Sequence, residues 1–293
     1  MAEPRGSVGL KPLPLPRRPW PAPLLLSFAL GLYLLAFFLA PAATVLLRAL
    51  IGQHGIDLEF LVQLLSPVYL RAFANTLWVS ALSGILAVLL GFLIAYAALR
   101  SGPWRTVILS FSGVAANFAG VPLAFAFIAT LGTRGILTEL LNGVGIHLYE
   151  MGFSLFSLAG LVLVYLYFQT PLMVLLITPA LEGLRQEWFE AAASLGASPW
   201  RFWWRIGLPI LAPSLLSTFV LLFGNAFAAY ATPYALTGGQ INLVPILLGA
   251  FLTGNVMADP QLGYALSLGM VLLLAISMVL YTLLQRWAKR RLA

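Results

Sequence analysis

The chain has 293 residues, of which 61% are hydrophobic and 9% charged, and its formal net charge at pH 7 is +7. A charged fraction so far below the value of about 25% that is usual in soluble domains indicates an integral membrane protein. The basic residues flank apolar runs instead of clustering with polar ones, which is typical of a topology signal and argues against nucleic-acid binding. The absence of cysteine excludes disulfides and thiolate metal sites.

The composition of the N-terminal region predicts a polar tail followed by a membrane span. Residues 1–22 carry four basic residues among six prolines, too polar and too proline-rich for a packed element. The run 24–47 contains no charge over 24 residues, enough to cross a hydrocarbon core of about 30 Å and too long for the apolar core of a signal peptide. We therefore expect a cytoplasmic tail at 1–22 and a six-helix transmembrane domain over 23–293.

Five further charge-free runs of comparable length follow the first, and together they predict an all-α, polytopic membrane protein. The six expected spans are 24–47, 73–99, 107–131, 155–181, 210–236 and 262–284. An even number of spans places both termini on one side of the membrane. The distribution of basic residues identifies that side as the cytoplasm, because thirteen of the sixteen lysines and arginines fall on it and only Arg48, Arg71 and Arg134 fall opposite.

Three loops of about two dozen residues are expected on the outer side, at 48–72, 132–154 and 237–261. In the second of them a short helix lying in the outer interface is predicted by the helical spacing of Ile136, Leu137, Leu140 and Leu141. The two histidines, His54 and His147, are far apart in these loops, so we expect no metal site.

The segment 187–213 is the only long polar-punctuated stretch between two strongly apolar runs. It predicts two short helices. The first, 187–195, is rich in helix formers and ends at Gly196, a residue that tolerates the left-handed conformation. Ser198 and Pro199 then supply a capping hydroxyl and a proline at the first position of the second helix.

The second helix carries three tryptophans and two arginines, an amphipathic composition that suits the membrane surface. We expect Trp200, Trp203 and Trp204 to lie at the level of the headgroups, where indole rings are favourable. We also expect Pro209 and Pro213 to end this helix before the fifth span begins.

The order of residues in this segment is Glu190, Ala191 and Ala192, three residues, Gly196, nine residues, and then Ile206-Gly207-Leu208-Pro209. It resembles the EAA signature of the membrane subunits of ATP-binding-cassette (ABC) importers, E-A-A-x3-G-x9-I-x-L-P. The resemblance extends from the second span to the sixth and implies a type I importer permease fold of the MetI-like kind, with cytoplasmic coupling helices between spans 4 and 5. It assigns ATPase coupling to Glu190, Ala191, Ala192, Gly196, Ser198, Pro199, Ile206, Leu208 and Pro209.

This resemblance also implies partners. They are an ABC ATPase dimer docked on the cytoplasmic loops, a solute-binding protein at the outer face, the lipid of a bacterial inner membrane, and a second permease, since the chain has one signature loop and resembles half of a pore. The segment 230–236, followed by Gly238-Gly239, resembles the polyamine (spermidine/putrescine) branch, which overlaps with iron(III), thiamine and aminoethylphosphonate permeases. That branch resemblance favours a related but different chain as the second permease.

ATP hydrolysis is not expected of this chain. A phosphate-binding loop of the Walker type needs Gly before Lys, but Lys11 and Lys289 follow Leu10 and Ala288. ATP and Mg²⁺ are therefore expected on the partner ATPase, and this chain is expected to bind no cofactor.

The six expected spans contain no Asp, Glu, His, Lys or Arg. An ion-coupled carrier is therefore the weaker alternative, because such carriers commonly hold a charged group near the bilayer middle. A purely structural membrane scaffold is the third alternative.

Neutral polar residues within the spans are the candidates for the translocation path. Such groups either hydrogen-bond neighbouring helices or line a pore. Asn225 stands out because Gly224 and Ala226 flank it, which leaves room for a solute or a close helix neighbour. The candidates for the path are Asn225, Gln169, Tyr230 and Asn117.

Overall fold

A computed structural model describes residues 22–52, 55–56, 59–252 and 260–292. Residues 1–21 of the expected tail, and His54, lie outside the described residues, so the boundary at residue 22 stays a prediction. Contacts between Cα atoms divide the chain into two units, Met1–Leu47 and Arg48–Ala293.

The described part of the N-terminal unit is helical and apolar. It consists of α1 (Ala22–Leu34), a π-helical turn (Leu35–Leu39) and the start of α2 (Ala40–Leu50). The π turn ends two residues before Pro41, which has no N–H to donate and whose ring crowds the carbonyl four residues earlier. A wider turn keeps the helix continuous at such a proline.

The second unit is built almost entirely from helices, which confirms the expected all-α class. A two-residue ladder pairs β1 (Ile51–Gly52) with β2 (Gly55–Ile56) in antiparallel register. The helices are α3 (Glu59–Gln63), α4 (Pro67–Arg100), α5 (Trp104–Asn117), α6 (Val121–Leu131), α7 (Ile136–Gly143), α8 (Leu158–Glu182), α9 (Gln186–Ser194), α10 (Pro199–Phe202), α11 (Leu208–Phe227), α12 (Ala231–Thr237), α13 (Val244–Leu252) and α14 (Pro260–Leu292). Over the whole described chain, six helical segments are long and apolar enough to cross a membrane, the number expected.

The centre of this unit is the contact between α4 and α8. Small residues recur on the buried face of α4 at Ala72, Thr76, Ser80, Ser83, Ala87, Gly91 and Ala95. A Cβ atom added to Gly91 would lie 2.5 Å from Met173 Cγ and 2.9 Å from the Thr170 carbonyl oxygen, so the two backbones meet closely there. Small residues permit such contact in membrane helices, where packing and hydrogen bonds replace the hydrophobic effect as the driving force.

Two of the expected spans are broken helices. The expected third span, 107–131, is divided into α5 and α6 at residues 118–120, where Gly120 has φ of +75° and Pro122 follows. The expected fifth span, 210–236, is likewise not one helix: α11 begins at Leu208 and ends at Phe227, and residues 228–230 separate it from α12. Gly120 N–H donates to Thr232 Oγ1 at 2.9 Å, so the two breaks are tied together.

The expected outer loops contain more structure than the sequence predicts. In the loop expected at 237–261, α13 is packed inward, and Val244 is fully buried. Thr76 Oγ1 accepts the Val244 N–H at 3.0 Å, and Asn75 Nδ2 donates to the Asn242 carbonyl at 3.1 Å. The short helix expected near residue 136 is confirmed as α7. It exposes Ile136 and Leu140 and buries Thr138, which suits an apolar environment outside the chain.

Candidate functional sites

The first helix of the signature loop ends in a complete C-terminal capping motif. Gly196 has φ of +75°, the left-handed conformation that the sequence predicts. Its N–H donates to the Ala193 carbonyl at 2.9 Å, and the next N–H, of Ala197, reaches back to Ala192 at 2.9 Å. This is the Schellman pattern, in which a left-handed residue satisfies the last carbonyls of a helix. No described atom lies within 4 Å of a Cβ built on Gly196, so backbone strain alone opposes a side chain there.

The second helix begins at once. The Ser198 side chain accepts the N–H of Arg201 at 3.3 Å, and Pro199 occupies the first helical position, as expected. Phe202 is buried, and its ring meets that of Phe189 edge-on at 5.2 Å. This ring contact packs α10 against α9 and fixes the angle that the Gly196 turn establishes.

The α9 surface carries the acidic residue of the signature. Glu190 is exposed, and its Oε1 accepts a hydrogen bond from Gln186 Nε2 at 2.9 Å. Ala191 is exposed beside it, whereas Ala192 is buried against the protein. A carboxylate next to a small side chain on an exposed helix is a surface on which another protein can approach closely.

The second helix does not end at Pro209, which corrects the sequence-based prediction. From α10 the chain continues through a π turn (Trp203–Gly207) into α11, and 199–227 is one helical stretch of 29 residues. The Leu208 N–H donates to the Trp203 carbonyl, five residues back. As at Pro41, the wide turn ends two residues before the proline that cannot donate. Ile206, Leu208 and Pro209 therefore belong to a continuous joint between the loop and the fifth span.

Trp203 has a different position from the one expected. Its ring meets Tyr96 at 5.1 Å and Phe92 at 5.8 Å, both edge-on and both from α4. A Cβ on Gly207 would lie 2.6 Å from Trp203 Cε3, so this glycine makes room for the ring. The other two tryptophans of this segment, Trp200 and Trp204, are largely exposed, at 72% and 57%. Trp203 thus joins the π turn to α4, a role that sequence reasoning missed because the partner rings are distant in sequence.

The two helix breaks line an open cavity of about 380 Å³. Three of the four path candidates, Asn117, Asn225 and Tyr230, line it together with Phe168 and Thr232. Asn117 Nδ2 donates to the Gly113 carbonyl at 2.8 Å, which holds its side chain at the end of α5. The described lining presents amide, hydroxyl and backbone polar groups, so it can hydrogen-bond a polar solute.

Gln169, the fourth path candidate, does not line this cavity. It is fully buried on α8, and its Nε2 donates to Ser83 Oγ of α4 at 2.8 Å. Ser83 in turn donates to the Val79 carbonyl at 2.6 Å. Gln169 Oε1 has no hydrogen-bond partner among the described residues. In this arrangement Gln169 acts between two helices and is not presented to a solute.

Comparison with known proteins identifies the family. Residues 87–293 match the family described as "Binding-protein-dependent transport system inner membrane component". The chain belongs to this family, whose members are membrane-spanning permease subunits of ABC importers.

Individual relatives differ in the solute that their names give. The chain is 31% identical over 175 residues, 57% of its length, to a probable sulfate transport system permease protein cysT of Anthoceros angustus, and spans 56% of that protein. It is 25% identical to the spermidine/putrescine transport system permease protein PotB of Haemophilus influenzae, over 85% of this chain and 89% of the relative. A crystal structure of a bacterial ABC transporter that imports the polysaccharide alginate matches with a TM-score of 0.67 and 18% identity, over 91% of this chain and 95% of that chain, which shows the common fold.

Proposed function

We propose that this chain forms one half of the pore of an ATP-driven importer, and that it moves a small polar solute across the bacterial inner membrane. The observation that carries the proposal is the continuous helix from Pro199 to Phe227. One end of it adjoins the exposed α9 surface with Glu190, and the other ends at the cavity that Asn225 lines. A single rigid element therefore connects a docking surface with a polar cavity.

The docking surface would be occupied by a partner ATPase dimer, which would hold ATP and Mg²⁺. The helix α9 has nine residues and is separated from the long helix that follows by the Gly196 turn. Helices shorter than about 12 residues are marginal in water on their own, so a docking partner would stabilise them. Glu190 offers a carboxylate at that contact and Ala191 permits close approach, while Gly196 sets the direction of the second helix.

The cavity at the helix breaks would be this chain's part of the translocation path. Asn117, Asn225 and Tyr230 would hydrogen-bond the solute, and a second permease chain would complete the pore. Discontinuous membrane helices line binding sites in other transporters because their breaks release backbone polar groups. Gln169 would contribute only indirectly, by fixing α8 against α4. A solute-binding protein would deliver the solute to the outer face.

A polyamine is the solute class that we propose first. The spermidine/putrescine relative matches over most of both chains, and segment 230–236 carries the branch resemblance. Sulfate or another oxyanion is the second candidate, supported by the relative with 31% identity.

Reconstitution tests the proposal. The chain would be purified together with the proteins encoded beside it, and the complex would be placed in vesicles. The solute-binding protein would be added on the side of the outer face. Uptake of radiolabelled spermidine, putrescine and sulfate would be measured with ATP and with a non-hydrolysable analogue. We expect uptake of one of these solutes only with ATP and only with the ATPase present. Uptake by the chain alone, driven by a proton or sodium gradient, would establish the ion-coupled alternative instead.

A further inference from the structure

A second cavity, of about 470 Å³, lies where α4 and α8 end beside the two helices of the signature loop. Its walls come from the last turn of α4, the end of α8 with the residues that follow it, α9, and the α10 end with Trp203. It is separate from the cavity at the helix breaks and shares no lining residue with it.

Two arginines line this cavity without a carboxylate partner in the described part of the chain. Arg100 lies over the Tyr96 ring at 4.4 Å, and Arg185 lies over the Trp188 ring at 6.0 Å. Of the acidic groups nearby in sequence, Glu182 is paired with Arg105 and Glu190 accepts from Gln186. Glu187 is exposed and does not line the cavity. Aromatic rings hold the two guanidiniums in place but leave their N–H donors available for an anion.

The remaining wall is apolar. Leu99, Leu181 and Leu184 line the cavity between the span ends, and the rings of Phe189, Phe202 and Trp203 close it on the loop side. The site therefore combines two permanent positive charges with a hydrocarbon-like surface. A ligand that fits both features carries an anionic group on an apolar body.

We propose that this cavity binds the phosphate of an anionic phospholipid from the inner leaflet. The guanidinium fork matches phosphate geometry, and Arg keeps its charge at every physiological pH. Anionic lipids are attracted to basic groups at the cytoplasmic surface, and basic pockets between membrane helices bind their headgroups. Exposed Trp200 and Trp204 on the adjoining helix are suited to the same interfacial level. The proposal rests on the proposed function for the cytoplasmic orientation of this end and for the ATPase that docks on α9.

A lipid in this position would stabilise the loop that it touches. The cavity is bounded on one side by α9 and α10 and on the other by the span ends, so a bound headgroup connects the two. A ligand that binds only this arrangement shifts the equilibrium toward it. We therefore expect anionic lipid to raise the ATPase activity of the assembled complex by fixing the docking helices.

The test uses the intact complex. It is washed in detergent and exchanged into phosphatidylcholine with or without phosphatidylglycerol. Native mass spectrometry then measures the phosphatidylglycerol that the complex retains. The variants are Arg100→Gln with Arg185→Gln, the milder pair Arg100→Lys with Arg185→Lys, and the control Arg134→Gln, which removes one charge on the opposite side. We expect the native and control complexes to retain phosphatidylglycerol, and the double Gln variant to bind it at least about tenfold more weakly, as expected for lost charge-assisted hydrogen bonds. The Lys pair keeps the charge but loses the fork, and should fall between them.

Three results would overturn the proposal. One is equal phosphatidylglycerol retention by the double Gln variant. Another is a rise in ATPase activity when millimolar inorganic phosphate is added in phosphatidylcholine alone, equal to the rise that phosphatidylglycerol produces, which would assign the site to free phosphate. The last is loss of the ATPase subunit from the Gln and Lys pairs in phosphatidylcholine alone, which would assign the arginines to a carboxylate of the partner protein. Because binding is measured directly, these results are independent of whether the complex imports the proposed solute.

Discussion

The two ends of α11 meet the same problem, an interruption of the helical hydrogen bonds, and solve it in opposite ways. At the start, Pro209 is accommodated by a π turn and the helix continues. At the end, residues 228–230 leave the helix and the chain turns into α12. Continuity at the loop end preserves a rigid connection, and the break at the other end exposes polar groups to a cavity. Under the proposed function, the continuous end would pass on movement from the docked ATPase, and the irregular backbone at the other end would bind the solute.

Substitution of Trp203 tests the continuous end and should have the largest effect on stability. Trp203→Ala removes a ring that packs on Tyr96, Phe92 and Gly207. Loss of a packed Trp side chain costs about 3 kcal/mol or more of unfolding free energy. The measurement is unfolding of the purified chain in bicelles by steric trapping.

Trp204→Ala is the matched control, because Trp204 is one residue away and largely exposed. We expect it to change the unfolding free energy by less than about 0.5 kcal/mol, as surface substitutions usually do. Equal effects of the two substitutions would show that Trp203 does not join the loop to α4.

Removal of the hydrogen bond between the two helix breaks should have the next largest effect on the unfolding free energy. Thr232 is buried, and its hydroxyl accepts the N–H of Gly120. Thr232→Val keeps the shape but leaves that N–H unsatisfied, at a cost of about 1–3 kcal/mol. Thr232→Ser retains the hydroxyl and should lower the unfolding free energy by less than half as much as Thr232→Val. If Val and Ser are equally stable, the breaks are not held together by this bond.

Asn225 tests the broken end through transport. Asn225→Leu removes a cavity-lining amide, and we expect uptake to fall about tenfold, as for one lost hydrogen bond of about 1–1.5 kcal/mol. Basal ATPase activity and assembly should be unchanged. Ser217→Ala on the same helix is the control, since that hydroxyl bonds the Pro213 carbonyl. Dispersal of the subunits by Asn225→Leu would show that the residue holds helices together instead.

The side of the membrane on which each region lies can be tested by labelling of single cysteines. The basic residues predict that Ser198 is cytoplasmic and that Gln240 is outside. Ser198→Cys and Gln240→Cys each introduce the only cysteine of the chain. An impermeant thiol reagent applied to intact spheroplasts should label only the second. Labelling of the first would contradict the orientation.

Local signals predicted the loop helices well, whereas tertiary contacts decided the rest. Gly196 and the Ser198-Pro199 pair act through neighbouring backbone, so their conformations follow from sequence. The break in the expected third span had a local signal as well, Gly120 followed by Pro122. The position of Trp203 had none, because its ring packs on Phe92 and Tyr96, more than a hundred residues earlier.

The same division applies to the path candidates. Polarity within an apolar span indicates a function or a helix contact but does not distinguish between them. Asn117 and Asn225 meet in one cavity because two breaks lie side by side, which requires the tertiary arrangement of α5, α6, α11 and α12. Gln169 has the same polarity, but its amide meets Ser83 on the face where α8 packs against α4.

The central claim, that the signature loop couples a separate ATPase to this chain, is tested most directly at Gly196. Gly196→Val forces a β-branched residue into the left-handed conformation at a cost of at least about 1 kcal/mol, although the surrounding space is open. Gly196→Asn tolerates that conformation, and Gly102→Val imposes the same strain at a left-handed glycine in another loop. The measurement is ATP-dependent uptake together with ATPase co-purification, at equal membrane insertion. We expect Gly196→Val to abolish uptake and weaken co-purification, with Glu190→Ala milder and both controls close to the native protein. Unimpaired uptake and unimpaired co-purification in Gly196→Val would contradict the coupling role of this loop.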